Sequence, residues 1–418
     1  MSTFSSRFSP LKSFFEKLLL ISITFPHITL GLVPSETSPF PLLFSLFLIY
    51  INDNYEKNFI YLNLLLLILW AITIPQGLNY LEGIQQLFVY LQNIYVAFYI
   101  FRNGLQTITQ KFCIMLISFH LLTGVVWIFG FTFFNDLLVF LSGDRLGAEI
   151  TRGQGSRFFS TEPSEALGSI FFILLFYSLN RYRYSYLIVF ITIFLTAILS
   201  SSGTSLMLLA IFLLSLLIFY LKLFKSLIIL VISFFLFQSL SPFLENLEFN
   251  NRILILLQTL SSLTLSEMFS FISLTSGWRF TLDYASYISI FFLQPMYGIG
   301  TGGVNSLYSL TTIGIDLLYF SDFLYADIKG LKPSSLFASI FLELGFIGLF
   351  FTIYLFQRFY KYFLVLFSDH FTIQEKGIFC IALFKLFFLM IVGTPASLAS
   401  LFLAFYYINE KNFLGKIK

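Results

Sequence analysis

The chain has 418 residues, of which 58% are hydrophobic and only 11% charged, and its mean hydropathy is +0.88. A soluble domain carries about 25% charged residues; so much apolar surface, with 58 phenylalanines, cannot be hidden in a water-soluble core of this size. The composition therefore makes lipid the solvent, and a net charge of +3 is too small to point to nucleic acid.

A spanning helix needs about 20 mostly apolar residues, because the hydrocarbon core is about 30 Å thick and a helix rises about 1.5 Å per residue. The N-terminal stretch MSTFSSRFSPLKSFFEKLLL has basic flanks but no small-residue cleavage site after its apolar run, so it reads as a retained first helix. Spans are predicted at about 15–33, 39–53, 58–76, 82–101, 112–134, 164–180, 184–200, 204–221, 226–243, 335–357, 373–392 and 395–409. The second, seventh and twelfth are short, and Gln85, Gln86, Gln92 and Asn93 punctuate the fourth. Cys113 and Cys380 fall inside apolar segments as small hydrophobes, with no cysteine framework and no Cys/His metal spacing. Two long loops remain, at about 135–163 and 244–334. The second is too long for a connector, and its apolar pieces, such as TLDYASYISIFFLQPMYGIG, suit short amphipathic helices lying at the interface. The fold class is thus an all-α integral membrane protein of about 12 transmembrane helices, one polytopic domain over 1–418, with no internal repeat of the inverted kind seen in transporters.

Lysine and arginine set the orientation. With the N-terminus in the cytoplasm and twelve spans threaded, sixteen of the 24 basic residues fall on the cytoplasmic side. Seven fall outside, all in the two long loops, and Lys385 lies within a span. Every short cytoplasmic turn is then basic and both termini are cytoplasmic, as expected for a multi-pass membrane protein.

The first loop reads GDRLGAEITRGQGSRFFSTEPSEALGSIFF and sets Arg145, Arg152 and Arg157 beside Asp144, Glu149, Glu162 and Glu165. Arginine's planar fork grips phosphate or carboxylate through two parallel hydrogen bonds. Pro163 suits the first turn of the next helix, whose N-terminus favours anions. The bland alternative is a solvated loop whose charges pair among themselves. In the second loop, Arg279 and Asp283 are four apart and share a face if that piece is helical. Gly298, Gly300, Gly302 and Gly303 form a turn after Pro295, which is not a P-loop because no GK[ST] follows. Further on, Asp316, Asp322, Asp327, Lys329 and Lys332 form a rim before the tenth span.

Within the spans, Glu343 and Lys385 each lie about 10–12 Å below the outer surface at about 1.5 Å per residue. Charges at that depth need partners, and pairing with each other is the expectation. His120, in the fifth span, reads as one side of a helix–helix hydrogen bond.

Four segments resemble the O-antigen ligase/polymerase superfamily, above all its Wzy-type polymerases, in the family's order. SRFFSTEPSEA resembles the Arg, then Glu-Pro-Ser, segment before a helix. TAILSSSGTSLMLLAIFLL resembles the Thr- and Ser-rich link between adjacent spans. SGWRFTLDYASYISIFFLQPMYGIGTGG resembles the Arg, then Pro-x-x-Gly-x-Gly, stretch of a large periplasmic loop. KPSSLFASIFLELGFIGLFF resembles the segment with His-Asn before a helix carrying Glu-x-Gly. Together these cover roughly 150–350, and the first 130 residues match only in hydropathy. Two departures stand out. Ser334 and Ser335 occupy the His-Asn position, and the spacing from Arg279 to Gly298 differs from that of some polymerases.

The resemblance implies a GT-C-like, cofactor-free and metal-independent glycosyltransferase. The donor would be a growing glycan on undecaprenyl pyrophosphate, and the acceptor another lipid-linked repeat unit on the periplasmic face. Arg157 and Arg279, with Arg145 or Arg152, would hold pyrophosphate; Gly298, Gly300 and Lys332 would lie near the glycan. Glu162, then Asp283, are the candidate general bases. A chain-length regulator is the implied partner, besides membrane lipid. The alternatives are an O-antigen ligase, which the missing His-Asn disfavours, and a lipid-linked oligosaccharide flippase, which would want charges lining the membrane interior.

Overall fold

The structure is a computed structural model. It describes residues 9–26, 38–52, 80–129, 165–239, 335–366, 369–386 and 396–410, with isolated positions 28, 61, 63, 64, 67, 68, 156, 158, 160, 258, 259, 262–264, 267, 298 and 300. Among the described residues every element is a helix: α1 (Ser9–Thr24), α2 (Phe40–Ile51), α3 (Tyr80–Asn103), α4 (Gln110–Ile128), α5 (Ala166–Leu179), α6 (Ser185–Ser200), α7 (Gly203–Leu221), α8 (Leu223–Ser239), α9 (Leu336–Leu366), α10 (Ile373–Phe384) and α11 (Ala396–Glu410). Gly83–Asn103, Gln110–Trp127 and Gly203–Leu221 are long and apolar enough to cross a membrane; α2, α5, α6 and parts of α8, α9 and α11 are shorter apolar helices. The stretch at 58–76 lies largely outside the described residues.

The bundle is built around α5. Its sequence ALGSIFFILLFYSL has no polar face, and all fourteen residues are buried. A helix that is apolar all round can only sit inside other helices. Helices α1, α4, α6, α7, α10 and α11 pack against it.

The outer helices invert the pattern of a water-soluble protein. On α6 the buried face is Ser185, Val189, Thr192, Ile193, Thr196, Ala197 and Ser200, whereas Leu187, Phe190, Ile191, Phe194, Leu195 and Ile198 are exposed. Small and hydroxyl side chains let helices approach closely and bond across the contact, while large apolar side chains face lipid. Helix α8 carries the same signature, with Ser226 buried and Phe224, Leu227, Val231 and Phe235 exposed. Such a surface in water would be an extended apolar patch, so this is a membrane protein.

Helix ends are closed by polar side chains. Thr109 accepts from the Phe112 amide at the start of α4, and Ser202 from the Ser205 amide at the start of α7. Thr372 and Glu375 form a reciprocal capping box on α10. Several boundaries differ from the sequence expectation, among them the ends of α4 at Ile128, α9 at Leu366 and α10 at Phe384, and two have a visible cause. The first helix begins at Ser9 and stops at Thr24 rather than continuing to 33, because Pro26 disfavours a helical residue before it and offers no N–H. Helix α9 is interrupted at Gly345, whose φ of 59° and ψ of −139° are open to glycine alone.

The helices alternate between two ends. At one end, Gln106 donates to the Tyr406 hydroxyl at 3.0 Å, Tyr182 to the Ile108 carbonyl at 3.1 Å, and Gln110 to the Tyr177 hydroxyl at 3.0 Å. These contacts gather the α3–α4 turn, the α5–α6 turn and the end of α11, and with them Arg102, Lys111, Arg181 and Arg183.

Glu16, fully buried in α1, anchors this end. It accepts from the Tyr99 hydroxyl at 2.6 Å, from the Thr107 amide at 2.9 Å and from the Thr107 hydroxyl at 2.5 Å. Each buried donor left without an acceptor costs about 1–3 kcal/mol. Glu16→Ala is therefore expected to lower the thermal midpoint of the purified protein in detergent well below that of Phe14→Ala, at a half-exposed position on the same helix. Equal shifts for the two variants would refute this anchoring role.

Candidate functional site

The opposite end of the bundle brings together the segments that carry the sequence motifs. The Ser156 amide donates to the Leu199 carbonyl at 2.7 Å, and Ser156, Phe158 and Ser160 are all buried. The Phe158 ring stacks on His120 with centroids 4.4 Å apart, and the Gly124 Cα packs against the same ring. His120 Nε2 lies 3.3 Å from the Thr196 hydroxyl. A piece of the first long loop is thus wedged beside α4 and α6, and the expected helix–helix bond of His120 is present. Its Nδ1 has no hydrogen-bond partner among the described residues.

The glycine turn of the second long loop docks on the break in α9. The Gly300 amide donates to the Glu343 carbonyl at 3.0 Å. Gly298 has φ +68°, and a Cβ there would lie 2.4 Å from the Leu342 carbonyl oxygen and 2.6 Å from the Gly345 nitrogen. A Cβ at Gly348 would lie 2.4 Å from the Ile340 carbonyl oxygen. Gly298 and Gly300 therefore bring the loop backbone onto the α9 main chain beside Gly345, and Gly348 lets α9 close on its own Ile340 across the break. The Glu343 side chain, 1% exposed, accepts from the Tyr90 hydroxyl of α3 at 2.5 Å.

Lys385 is 2% exposed and follows the last residue of α10. Its ammonium sits against the Cα of Gly168 in the first turn of α5 and 5.7 Å from the centroid of the Phe171 ring. The carboxylate acting on it is Glu165, the residue before α5. The arrangement makes electrostatic sense: an ammonium next to the positive end of a helix needs an anion there, and Glu165 offsets both. The expected pairing of Glu343 with Lys385 is not what forms. Glu343 is bonded to Tyr90, while Lys385 lies against Gly168 and the Phe171 ring within the field of Glu165, because equal depth along two helices does not place their side chains on facing sides. Ser335 caps α9 by accepting from the Ala338 amide at 3.4 Å, and its hydroxyl donates to the Leu386 carbonyl at 2.5 Å. The start of α9 is thereby tied to the turn that carries Lys385.

Of the sequence-predicted site residues, Gly298 and Gly300 are brought onto α9. Arg145, Arg152, Arg157, Glu162, Arg279, Asp283 and Lys332 lie outside the described residues, as does Ser334. Ser156 and Phe158, the sequence neighbours of Arg157, are buried. Tyr90, Gly168 and the Gly345–Gly348 pair escaped sequence reasoning. Only the last had a visible signal, in two glycines three apart within an otherwise apolar span. No protein-family model, curated protein or solved structure matches the chain.

The glycine contact can be tested directly. Gly298→Ala forces a methyl group into the α9 main chain at a left-handed position, a strain of about 1–3 kcal/mol before any clash. A clear fall in thermal midpoint in detergent is expected for Gly298→Ala, and a small one for Ala210→Gly on the exposed face of α7. A Gly298→Ala protein as stable as the parent would refute the docking of this turn on α9.

Proposed function

We propose that the chain is a polymerase of lipid-linked polysaccharide repeat units: a twelve-span inner-membrane protein with both termini in the cytoplasm, working on the periplasmic face. One observation carries this reading. The four segments that resemble the Wzy-type polymerases, far apart in sequence, meet at one end of the bundle. The first touches the second through Ser156 and Leu199, and the third touches the fourth through Gly300 and Glu343. The fourth is tied through Ser335 to Leu386, and the adjoining Lys385 lies against Gly168, two residues beyond the first.

In this reading, a hydroxyl at the non-reducing end of one lipid-linked repeat unit attacks the first sugar carbon of another glycan on undecaprenyl pyrophosphate. The new carbon–oxygen bond forms as the bond to pyrophosphate breaks, and undecaprenyl pyrophosphate leaves with the electron pair. Arg157 and Arg279, assisted by Arg145 or Arg152, stabilise the negative charge that develops on the leaving group. Glu162, or Asp283, takes the hydroxyl proton. Lys332 and the Gly298–Gly300 turn border the glycan, and a chain-length regulator is the protein partner. The ligase alternative loses ground at the His-Asn position, where this chain carries Ser334 and Ser335. Ser335, at the asparagine position, is buried, and its hydroxyl is engaged with Leu386 and the start of α9.

Arg157→Ala and Arg279→Ala, each expressed at parental level, are expected to leave cells with surface antigen one repeat unit long on lipid A core. Gel profiles of the extracted lipopolysaccharide read this out. Loss of even that single unit would indicate a flippase, and unattached polymer would indicate a ligase. Normal long chains in both variants would sink the catalytic assignment.

A further inference from the structure

The other end of the bundle, remote from the glycine contact, holds an open pocket of ≈ 280 Å³ that the proposed reaction does not use. Its walls come from the α5–α6 turn and the first turn of α10, and include Arg181, Tyr182, Tyr184, Tyr186, Thr372 and Glu375. Arg181 and Tyr184 have φ of 50° and 61°, so the turn is tight. Arg181 spends one N–H on Glu375 at 3.4 Å and another on the His370 carbonyl at 2.8 Å. A guanidinium has five donors, so three remain, on a side chain that is 53% exposed. Glu375 balances the charge of Arg181. Arg183 adds a further cation, held 4.7 Å over the Tyr184 ring and paired with no carboxylate among the described residues.

The rim fixes what kind of ligand fits. Tyr184 and Tyr186 are 61% and 56% exposed, and below them Leu187, Phe190, Ile191 and Phe194 are exposed on the same helix. From Tyr186 to Phe194 this apolar track runs about 12 Å along α6 at 1.5 Å per residue. The pocket therefore opens at the lipid-facing surface rather than onto the bundle axis. It offers unspent guanidinium donors at the level where tyrosines mark a membrane interface, directly above a strip for hydrocarbon.

We propose that this pocket binds the phosphate of an anionic phospholipid, with Arg181 and Arg183 on the headgroup and an acyl chain along Leu187, Phe190 and Phe194. Free phosphate shares the headgroup chemistry, but it would gain nothing from the apolar strip. The proposal is independent of the reaction assigned to the opposite end.

The test uses the full chain in detergent micelles, with native mass spectrometry of bound lipid. Phosphatidylglycerol and phosphatidylcholine of the same chain length are titrated in parallel, with inorganic phosphate as competitor. Phosphatidylglycerol is expected to bind more tightly, by about tenfold, and Arg183→Glu to remove that preference, as befits reversing a charge at headgroup level. Arg183→Glu leaves the Arg181–Glu375 contact intact, so its thermal midpoint should match the parent's. Arg181→Lys keeps the charge and should weaken binding partially. Equal binding of the two lipids, or a preference unchanged in Arg183→Glu, would overturn the proposal. Displacement of phosphatidylglycerol by millimolar inorganic phosphate would also overturn it, assigning the pocket to a soluble anion.

Discussion

Helix α5 has no side that faces solvent of any kind, and this governs how the other helices are arranged. Six helices must supply its walls. Since lipid is as apolar as leucine, the hydrophobic effect alone gives them little reason to stay. Close approach and polar contacts at the helix ends do the holding. At one end of α5, Tyr177 receives a bond from Gln110 and gives one to the Arg183 carbonyl at 2.9 Å. At the other, Gly168 makes room for the buried ammonium of Lys385, and Glu165 supplies the countercharge. A core helix of fourteen residues is about 21 Å long at 1.5 Å per residue, short of the hydrocarbon thickness. Both ends therefore lie where polar groups are hard to solvate, and each is met by a side chain from another helix.

The same economy explains the distribution of ionisable residues. Glu16 and Glu343, nearly sealed from solvent, both receive a tyrosine hydroxyl, from Tyr99 and Tyr90 of the single helix α3. A phenol is well suited to this role in a bundle: its ring adds apolar area, and its hydroxyl satisfies a carboxylate without bringing a second charge into low dielectric. Helix α3 thus fastens the bundle at two levels, although glutamines and an asparagine made it one of the softer spans in the sequence.

Much of the architecture was legible in the sequence. Apolar run lengths located α3, α5 to α8 and α11 to within about four residues, because lipid imposes a length on every helix that crosses it, whereas α4 and α10 stop at Ile128 and Phe384, short of the runs to 134 and 392. The threading set by lysine and arginine put Arg102, Lys111, Arg181 and Arg183 on one side, and the turns that carry them lie together at one end of the bundle. Rotational position was not legible. Glu343 and Lys385 were placed at matching depths, but hydropathy carries no information on which way a residue points around a helix buried on all sides. The glycine turn was visible, but its counterpart in α9 was not: a span needs only apolar residues, and nothing in FLELGFIG distinguishes a straight helix from one broken at Gly345. Seven of the nine candidate site residues lie outside the described residues, so the structure bears on that site through its neighbours: Ser156, Phe158, Glu165 and the two docked glycines.

The broken helix α9 also has a mechanical side. Where its own ladder fails at Gly345, the Glu343 carbonyl takes its hydrogen from Gly300, in a different stretch of chain. Loop and helix are therefore coupled like a latch and its keeper. Lifting the loop would strip an acceptor buried in α9 of that donor, and straightening α9 would carry the Leu342 and Glu343 carbonyls away from the glycines that rest on them. Because the Glu343 side chain is tied to Tyr90, the same break is also fastened to α3, the helix whose Tyr99 holds Glu16 at the other end of the bundle.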